Sequence, residues 1–154
     1  MSKYNTSLKD IKLKDLIFVI LYGVVISILL GIALGFIDYY IRSYINFSLA
    51  ILMFFFSAQY IGRTVRKQYE KPHILYIIIT GIFLVFQAII IYGLPFIYSI
   101  AQQFEDIMIV LDLRMYLQYF ILLITSIFTN FNFNYILMLL IIAVGTYVGV
   151  SKTY

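Results

Sequence analysis

Long stretches without a charged residue constrain the fold of this chain more than any other feature of its sequence. Four of them run over residues 16–37, 43–62, 72–104 and 115–151. About 20 apolar residues cross a bilayer core of roughly 30 Å, because a helix rises about 1.5 Å per residue. The first stretch is too long for a cleavable signal peptide, so we expect it to remain as a span. The sequence therefore predicts several membrane-spanning helices.

The composition excludes an ordinary soluble domain. The 154-residue chain is 64% apolar and 12% charged, whereas soluble domains carry about 25% charged residues. It has no cysteine and one histidine, His73, which excludes thiolate chemistry and multi-histidine metal or haem sites. We expect no cofactor and no metal. The net charge of +4 indicates membrane topology rather than a nucleic-acid partner, because the basic residues are confined to particular loops.

We predict an all-α membrane protein, a compact bundle of four transmembrane helices forming a single domain over residues 1–154. The predicted spans cover residues 16–37, 43–62, 73–96 and 133–150. Pro72 separates the second span from the third, and Pro95 is expected to kink or end the third. The asparagine-rich residues 129–134 are expected to break the chain before the last span.

The segment before the last span, residues 98–128, is expected to lie in the membrane interface. Polar and apolar side chains alternate at helical spacing over residues 95–118, as in an amphipathic interfacial helix. Residues 115–128 are too few for an ordinary crossing. The alternative is that they do cross, which would give five spans.

The distribution of basic residues predicts the orientation in the cell membrane. Four lie in the N-terminal tail and four after the second span, eight of the eleven in the chain: Lys3, Lys9, Lys12, Lys14, Arg63, Arg66, Lys67 and Lys71. The positive-inside rule then places the N-terminus and residues 63–72 in the cytoplasm. Four crossings return the C-terminus to the same side. The loop cations are also candidates for contact with anionic lipid.

Small residues spaced four apart predict close helix packing. The first span carries Gly23, Ser27, Gly31 and Gly35, and the last carries Gly145 and Gly149. Small side chains let helix backbones approach closely in lipid, where no hydrophobic force drives helices together. We expect these faces to pack within one bundle. Contact with a second copy or with a partner membrane subunit is the alternative.

Polar side chains inside the predicted spans are few. Gln59 and Gln87 are expected to hydrogen-bond neighbouring helices, with substrate contact as the alternative. The central parts of the spans hold no ionisable residue, although proton-coupled and ion-coupled transporters normally need one there. Asp38 and Arg42 are expected to form an ion pair at the membrane rim, four residues apart on one helix.

These features predict a small non-enzymatic integral membrane protein that acts as a subunit or accessory protein through helix–helix contacts. One alternative is a component of an oligomeric transporter or channel. The other is an interfacial lipid-modifying enzyme, whose acid and base groups would come from Asp38, Glu105, Asp106 and Asp112. Convergence of these carboxylates in one cleft would favour the enzyme, and a water path along the two glutamines would favour transport.

Overall fold

The computed structural model describes residues 11–130 and 133–153, which fold into five α-helices. These are α1 (Leu13–Ile45), α2 (Ala50–Arg66), α3 (Ile74–Gln103), α4 (Leu113–Asn130) and α5 (Phe133–Val150). Short 3₁₀ segments cover Ile107–Leu111 and Ser151–Thr153. The described residues contain no β-strand. The predicted all-α class is confirmed.

Three of these helices are long and apolar enough to cross a membrane, as expected for a membrane protein. They are α1, α3 and α5 together with its 3₁₀ extension. The other two are shorter, with 17 residues in α2 and 18 in α4. At 1.5 Å per residue they measure about 26 and 27 Å, slightly less than the roughly 30 Å of a bilayer core.

Helix α3 lies at the centre of the bundle, and the other elements pack around it. Helix α1 runs parallel to it, since Gly23 lies against Phe83 and Gly35 against Leu94. One core cluster joins α3 to α1, α2 and α5. A second joins α3 to α1, the 3₁₀ segment Ile107–Leu111 and α4. Every other helix therefore packs against α3, and α2 and α5 also pack closely against each other.

Both ends of the described chain lie at one end of the bundle, called here the basic end. Lys12 donates a 2.6 Å hydrogen bond to Glu70 in the loop between α2 and α3. The Tyr69 hydroxyl in that loop donates to the carbonyl of Thr153. The opposite end, called the acidic end, contains the end of α1, the start of α2 and residues 104–112. Lys3 and Lys9 of the predicted basic tail lie outside the described residues.

The boundary between α1 and α2 along the chain differs from the predicted one. Helix α1 continues to Ile45, so residues 43–45 belong to the first helix and not to the second. Asn46 then adopts the left-handed conformation, with φ of 56°, which ends a helix at little cost for asparagine. Helix α2 begins only at Ala50.

Helix α3 does not end at Pro95, one of the two outcomes predicted there, the other being a kink. It continues to Gln103, although a proline inside a helix removes one backbone hydrogen bond. Leu94 and Ile97 on either side of Pro95 are buried in the second core cluster. Packing of this part of α3 on several sides therefore outweighs the local preference of the proline to stop the helix.

Residues 95–118 do not form the single amphipathic helix that their spacing predicts. Glu105 is left-handed, with φ of 53°, and the chain reverses there. Asp106 accepts a hydrogen bond from the Met108 amide and Asp112 accepts one from the Arg114 amide. Aspartate side chains that bind backbone amides favour turns and helix starts over helix interiors. The sequence break expected at residues 129–134 coincides with the boundary between α4 and α5, and residues 131–132 lie outside the described part.

The small residues lie where helices of this chain approach most closely. A β-carbon added at Gly31 would lie 3.0 Å from Cβ of Ile90, and one at Gly35 would lie 2.9 Å from Cβ of Leu94. Between α2 and α5, a β-carbon on Gly149 would lie 2.8 Å from the Ala58 carbonyl oxygen, and one on Gly62 would overlap the Gly149 carbonyl oxygen. The glycine faces of α1 and α5 are thus occupied by α3 and α2.

Substituting Gly62 by alanine should destabilise the bundle by about 1–3 kcal/mol, because the new methyl group meets backbone that cannot rotate away. The matched control is Gly81→Ala, where the added carbon would lie 3.6 Å from its nearest neighbour, an ordinary contact. It should be neutral or stabilise α3 by up to about 1 kcal/mol. Thermal unfolding in detergent measures both, and equal melting temperatures for the two variants would contradict the close α2–α5 contact.

Candidate functional site

Asp38 is the most deeply buried charged side chain among the described residues. The sequence places it at the membrane rim, yet the structure leaves none of it exposed. The buried face of α1 runs from Val19 through Gly35 to Asp38, and a residue three after Gly35 stays on that face. The carboxylate therefore points into the bundle at the acidic end.

The Asp38 carboxylate caps helix α2. Its Oδ1 atom accepts hydrogen bonds from the backbone amides of Leu49 at 2.8 Å and Ala50 at 3.0 Å. The Ser48 hydroxyl donates to the same oxygen at 2.9 Å. A carboxylate is favourable at a helix N-terminus, where unpaired amides carry partial positive charge. This contact explains why α2 begins at Ala50.

Arg42 covers the buried carboxylate. Its Nε donates a 2.7 Å hydrogen bond to Asp38 Oδ2, and its Nη2 donates a 2.9 Å bond to the Ser48 hydroxyl. The ion pair predicted from the four-residue spacing is present, but its partners differ in exposure, with 43% of the Arg42 side chain exposed and none of the Asp38 side chain. Arg42 thus also faces a cleft that contains Tyr39 and Phe96.

Aromatic side chains join α1 to α3 above this ion pair. The rings of Tyr39 and Tyr98 meet edge to face with centroids 4.8 Å apart, and the Tyr39 hydroxyl donates to Gln102 at 2.9 Å. The nearby Tyr92 hydroxyl is buried and has no hydrogen-bond partner among the described residues. Such an orphaned group is uncommon in a folded protein. The acidic end thus holds a buried, unpartnered hydroxyl close to the Asp38–Arg42 ion pair.

The four carboxylates considered for catalysis have separate local surroundings. Asp38, Asp106 and Asp112 each accept backbone amides at the start of a different helical element. Glu105 is exposed in the turn after α3. Within the described residues, no group of three or more histidine, aspartate or glutamate side chains could hold a metal ion. Three of the four carboxylates thus act as helix caps.

The interior of the bundle holds a second set of polar atoms, at the contact between α1 and α3. Ser27 and Gln87 are both fully buried. Neither the Ser27 hydroxyl nor the two polar atoms of the Gln87 amide have a hydrogen-bond partner among the described residues. The interhelical hydrogen bond expected for Gln87 is therefore not formed in this structure. Gln59 on α2 is only half-buried.

The cationic residues of the loop between α2 and α3 differ in the contacts they make with the rest of the protein. Arg66 donates a 2.9 Å hydrogen bond to the Tyr69 carbonyl and lies over the Tyr69 ring, 5.0 Å from its centroid. Arg63, Lys67 and Lys71 are exposed. The hydrogen bond and positive charge of Lys12 lower the pKa of the nearby Glu70 carboxyl. Three loop cations thus remain accessible at the basic end.

Sequence reasoning predicted none of these helix caps, and two of them involve buried side chains. His73 is buried, and its Nδ1 accepts the Leu75 amide at the start of α3. The role of Asp38 toward α2 depends on a contact between residues eleven and twelve positions apart. Asp38 lies three residues after Gly35, one position short of the four-residue spacing, and still shares the buried face of α1.

Replacing Asp38 by alanine should destabilise the protein by about 2 kcal/mol or more, because two amides and the Arg42 guanidinium lose their acceptor. Asp38→Asn keeps an oxygen for the amides and should cost less. The control is Asp112→Ala, which removes an exposed cap and should cost about 1 kcal/mol or less. Thermal unfolding in detergent gives the order, and an Asp38→Ala variant as stable as Asp112→Ala would contradict the buried cap.

Comparison with known proteins gives no family for this chain. No protein-family model matches the sequence, and no curated protein and no solved structure matches it. The role of the acidic end must therefore follow from its own geometry.

Proposed function

We propose that the chain crosses the membrane four times, through α1, α2, α3 and α5, with α4 in the interface at the acidic end. The start of α1 and the end of the described chain both lie at the basic end, which supports an even number of crossings. Helix α4 packs on the last third of α3, where Tyr116 and Tyr119 lie against Gly93. In this position α4 packs on the bundle near the acidic end and adds no crossing of the membrane.

The charged residues support an orientation with the basic end in the cytoplasm. Exposed Arg63, Lys67 and Lys71 lie there, where the positive-inside rule expects them and where anionic lipid is available. The exposed polar residues of α4, including Gln118 and Thr129, then face the water layer on the other side. Its buried Tyr116 and Leu123 face the bundle, as expected for an amphipathic interfacial helix.

Reporter fusions test this topology. A green fluorescent protein at the C-terminus should fluoresce, because it folds in the cytoplasm, and alkaline phosphatase inserted after Glu105 should be active outside. The control fusion, alkaline phosphatase inserted after Lys67, should be inactive. An active phosphatase at the C-terminus would instead require α4 to cross and would overturn the four-span proposal.

The function that this geometry supports best is a non-enzymatic accessory role exerted through the outer surface of the bundle. The observation that carries it is the closed core around Gln87, whose side chain has no exposed surface. Gly31 and Gly35 bring α1 against Ile90 and Leu94, so the contact between the helices is filled on the acidic side of Gln87. A filled core favours contact with other membrane proteins over passage of a substrate.

Two measurements on the purified protein test this role. Extraction in mild detergent followed by quantitative mass spectrometry should recover a membrane protein in stoichiometric amount. The Gly62→Ala variant, whose bundle is disturbed, should recover less of it.

In liposomes with an interior pH dye, the protein should give no proton flux above empty vesicles. A flux that is lost in Gln87→Leu but kept in Gln118→Leu on the surface would replace the accessory role with transport.

A further inference from the structure

An apolar groove lies between α1 and the chain that follows α3. Ile28 and Ile32 of α1, Ile90 of α3, and Val110, Leu113 and Tyr116 line it, and its volume is about 190 Å³. The one polar group among these side chains, the Tyr116 hydroxyl, donates to the Val110 carbonyl at 2.9 Å. The groove therefore offers a ligand hydrophobic contact and no free donor.

The groove lies at the depth of lipid chains, close beneath the acidic end. Ile32 precedes Asp38 by six positions, which is about 9 Å along α1 toward the basic end. Leu111 and Leu113 beside the groove are 66% and 49% exposed. In the proposed topology this exposed surface faces hydrocarbon, so the material available to fill the groove is a lipid chain.

Leu113, which lines the groove, has two oppositely charged chain neighbours, Asp112 and Arg114. Asp112 and Arg114 are both exposed, and Asp112 uses one carboxylate oxygen to accept the Arg114 amide at 2.9 Å. The Arg114 guanidinium has no hydrogen bond and no ion pair among the described residues. A long arginine side chain reaches from hydrocarbon depth to the headgroup layer while its stem stays in apolar surroundings.

We propose that this groove binds one chain of a phospholipid with a primary-amine headgroup, with Arg114 on the phosphate and Asp112 on the ammonium group. A guanidinium matches the geometry of phosphate oxygens and binds them with charge-assisted hydrogen bonds. The second oxygen of Asp112 accepts an N–H of a primary ammonium, which a quaternary ammonium lacks. The proposal rests on the proposed placement of the acidic end at a membrane interface.

The absence of tryptophan from the chain allows a direct test. Leu111→Trp places a single fluorophore at the groove, and Phe128→Trp, at a side chain 85% exposed, reports the surrounding lipid. Each variant is reconstituted in phosphatidylcholine containing a small fraction of phosphatidylethanolamine with brominated chains, which quench tryptophan. Quenching of the tryptophan at position 111 should exceed the value expected from the mole fraction of brominated lipid. Quenching at position 128 should match that value.

Three further substitutions in the Leu111→Trp background locate the contacts. Arg114→Gln should reduce the enrichment of brominated phosphatidylethanolamine about tenfold, the size expected for a lost charge-assisted hydrogen bond of about 1.5 kcal/mol. Asp112→Asn keeps the acceptor for the α4 amide and should abolish the preference for ethanolamine over choline headgroups. Ile32→Phe should fill the groove and remove the enrichment, and Arg63→Gln at the basic end should leave it unchanged.

The outcomes separate this proposal from the topology on which it rests. If neither tryptophan is quenched, α4 is not at the membrane and the topology fails. If both are quenched according to mole fraction, the topology stands and the lipid site is overturned. Enrichment that survives Arg114→Gln, an equal preference for phosphatidylglycerol, or competition by chain-free glycerophosphoethanolamine would also overturn it, because the site requires both a chain and the two charges.

Discussion

The contact between α1 and α3 is the constraint on which the rest of this structure depends. Lipid provides no hydrophobic force that drives helices together, so their association relies on close packing of backbones. Gly31 and Gly35 supply it, because Ile90 and Leu94 fill the space that larger side chains would occupy. Since α3 also packs against α5, the small-residue face of α1 also affects the position of a helix that α1 does not contact among the described residues.

The same face of α1 ends in Asp38, and this links the packing of the spans to the polar chemistry of the acidic end. Because Gly35 packs against α3, Asp38, three positions later on the same face of α1, also faces the bundle. A carboxylate in that place is stable only with partners, which the first amides of α2 and the guanidinium of Arg42 provide. The start of α2 is therefore fixed by the register of α1 together with a local contact, the hydrogen bond that the Ser48 hydroxyl accepts from the Ala50 amide at 3.3 Å.

The sequence predicts the helical membrane class, the small-residue faces and the Asp38–Arg42 pair, because each follows from local spacing or from long apolar stretches. It leaves open whether Pro95 kinks or ends α3, since the packing of Leu94 and Ile97 that accompanies continuation of the helix comes from distant segments. The burial of Asp38 and the lack of a partner for Gln87 are likewise results of tertiary contact. Boundaries and hydrogen-bond partners were therefore the weakest part of the prediction.

The carboxylates of the acidic end show why charge near a membrane need not indicate catalysis. A helix that begins near lipid exposes amides which water cannot fully satisfy, and an aspartate at that point supplies acceptors and a charge that suits the helix dipole. Asp38, Asp106 and Asp112 are all used in this way. Glu105 has no such role, and the Arg114 guanidinium has no hydrogen bond or ion pair among the described residues. Arg114 is the chain neighbour of Leu113, which lines the apolar groove. The proposed lipid contact therefore depends on this unpartnered guanidinium and on the second carboxylate oxygen of Asp112, whose first oxygen is used by the cap.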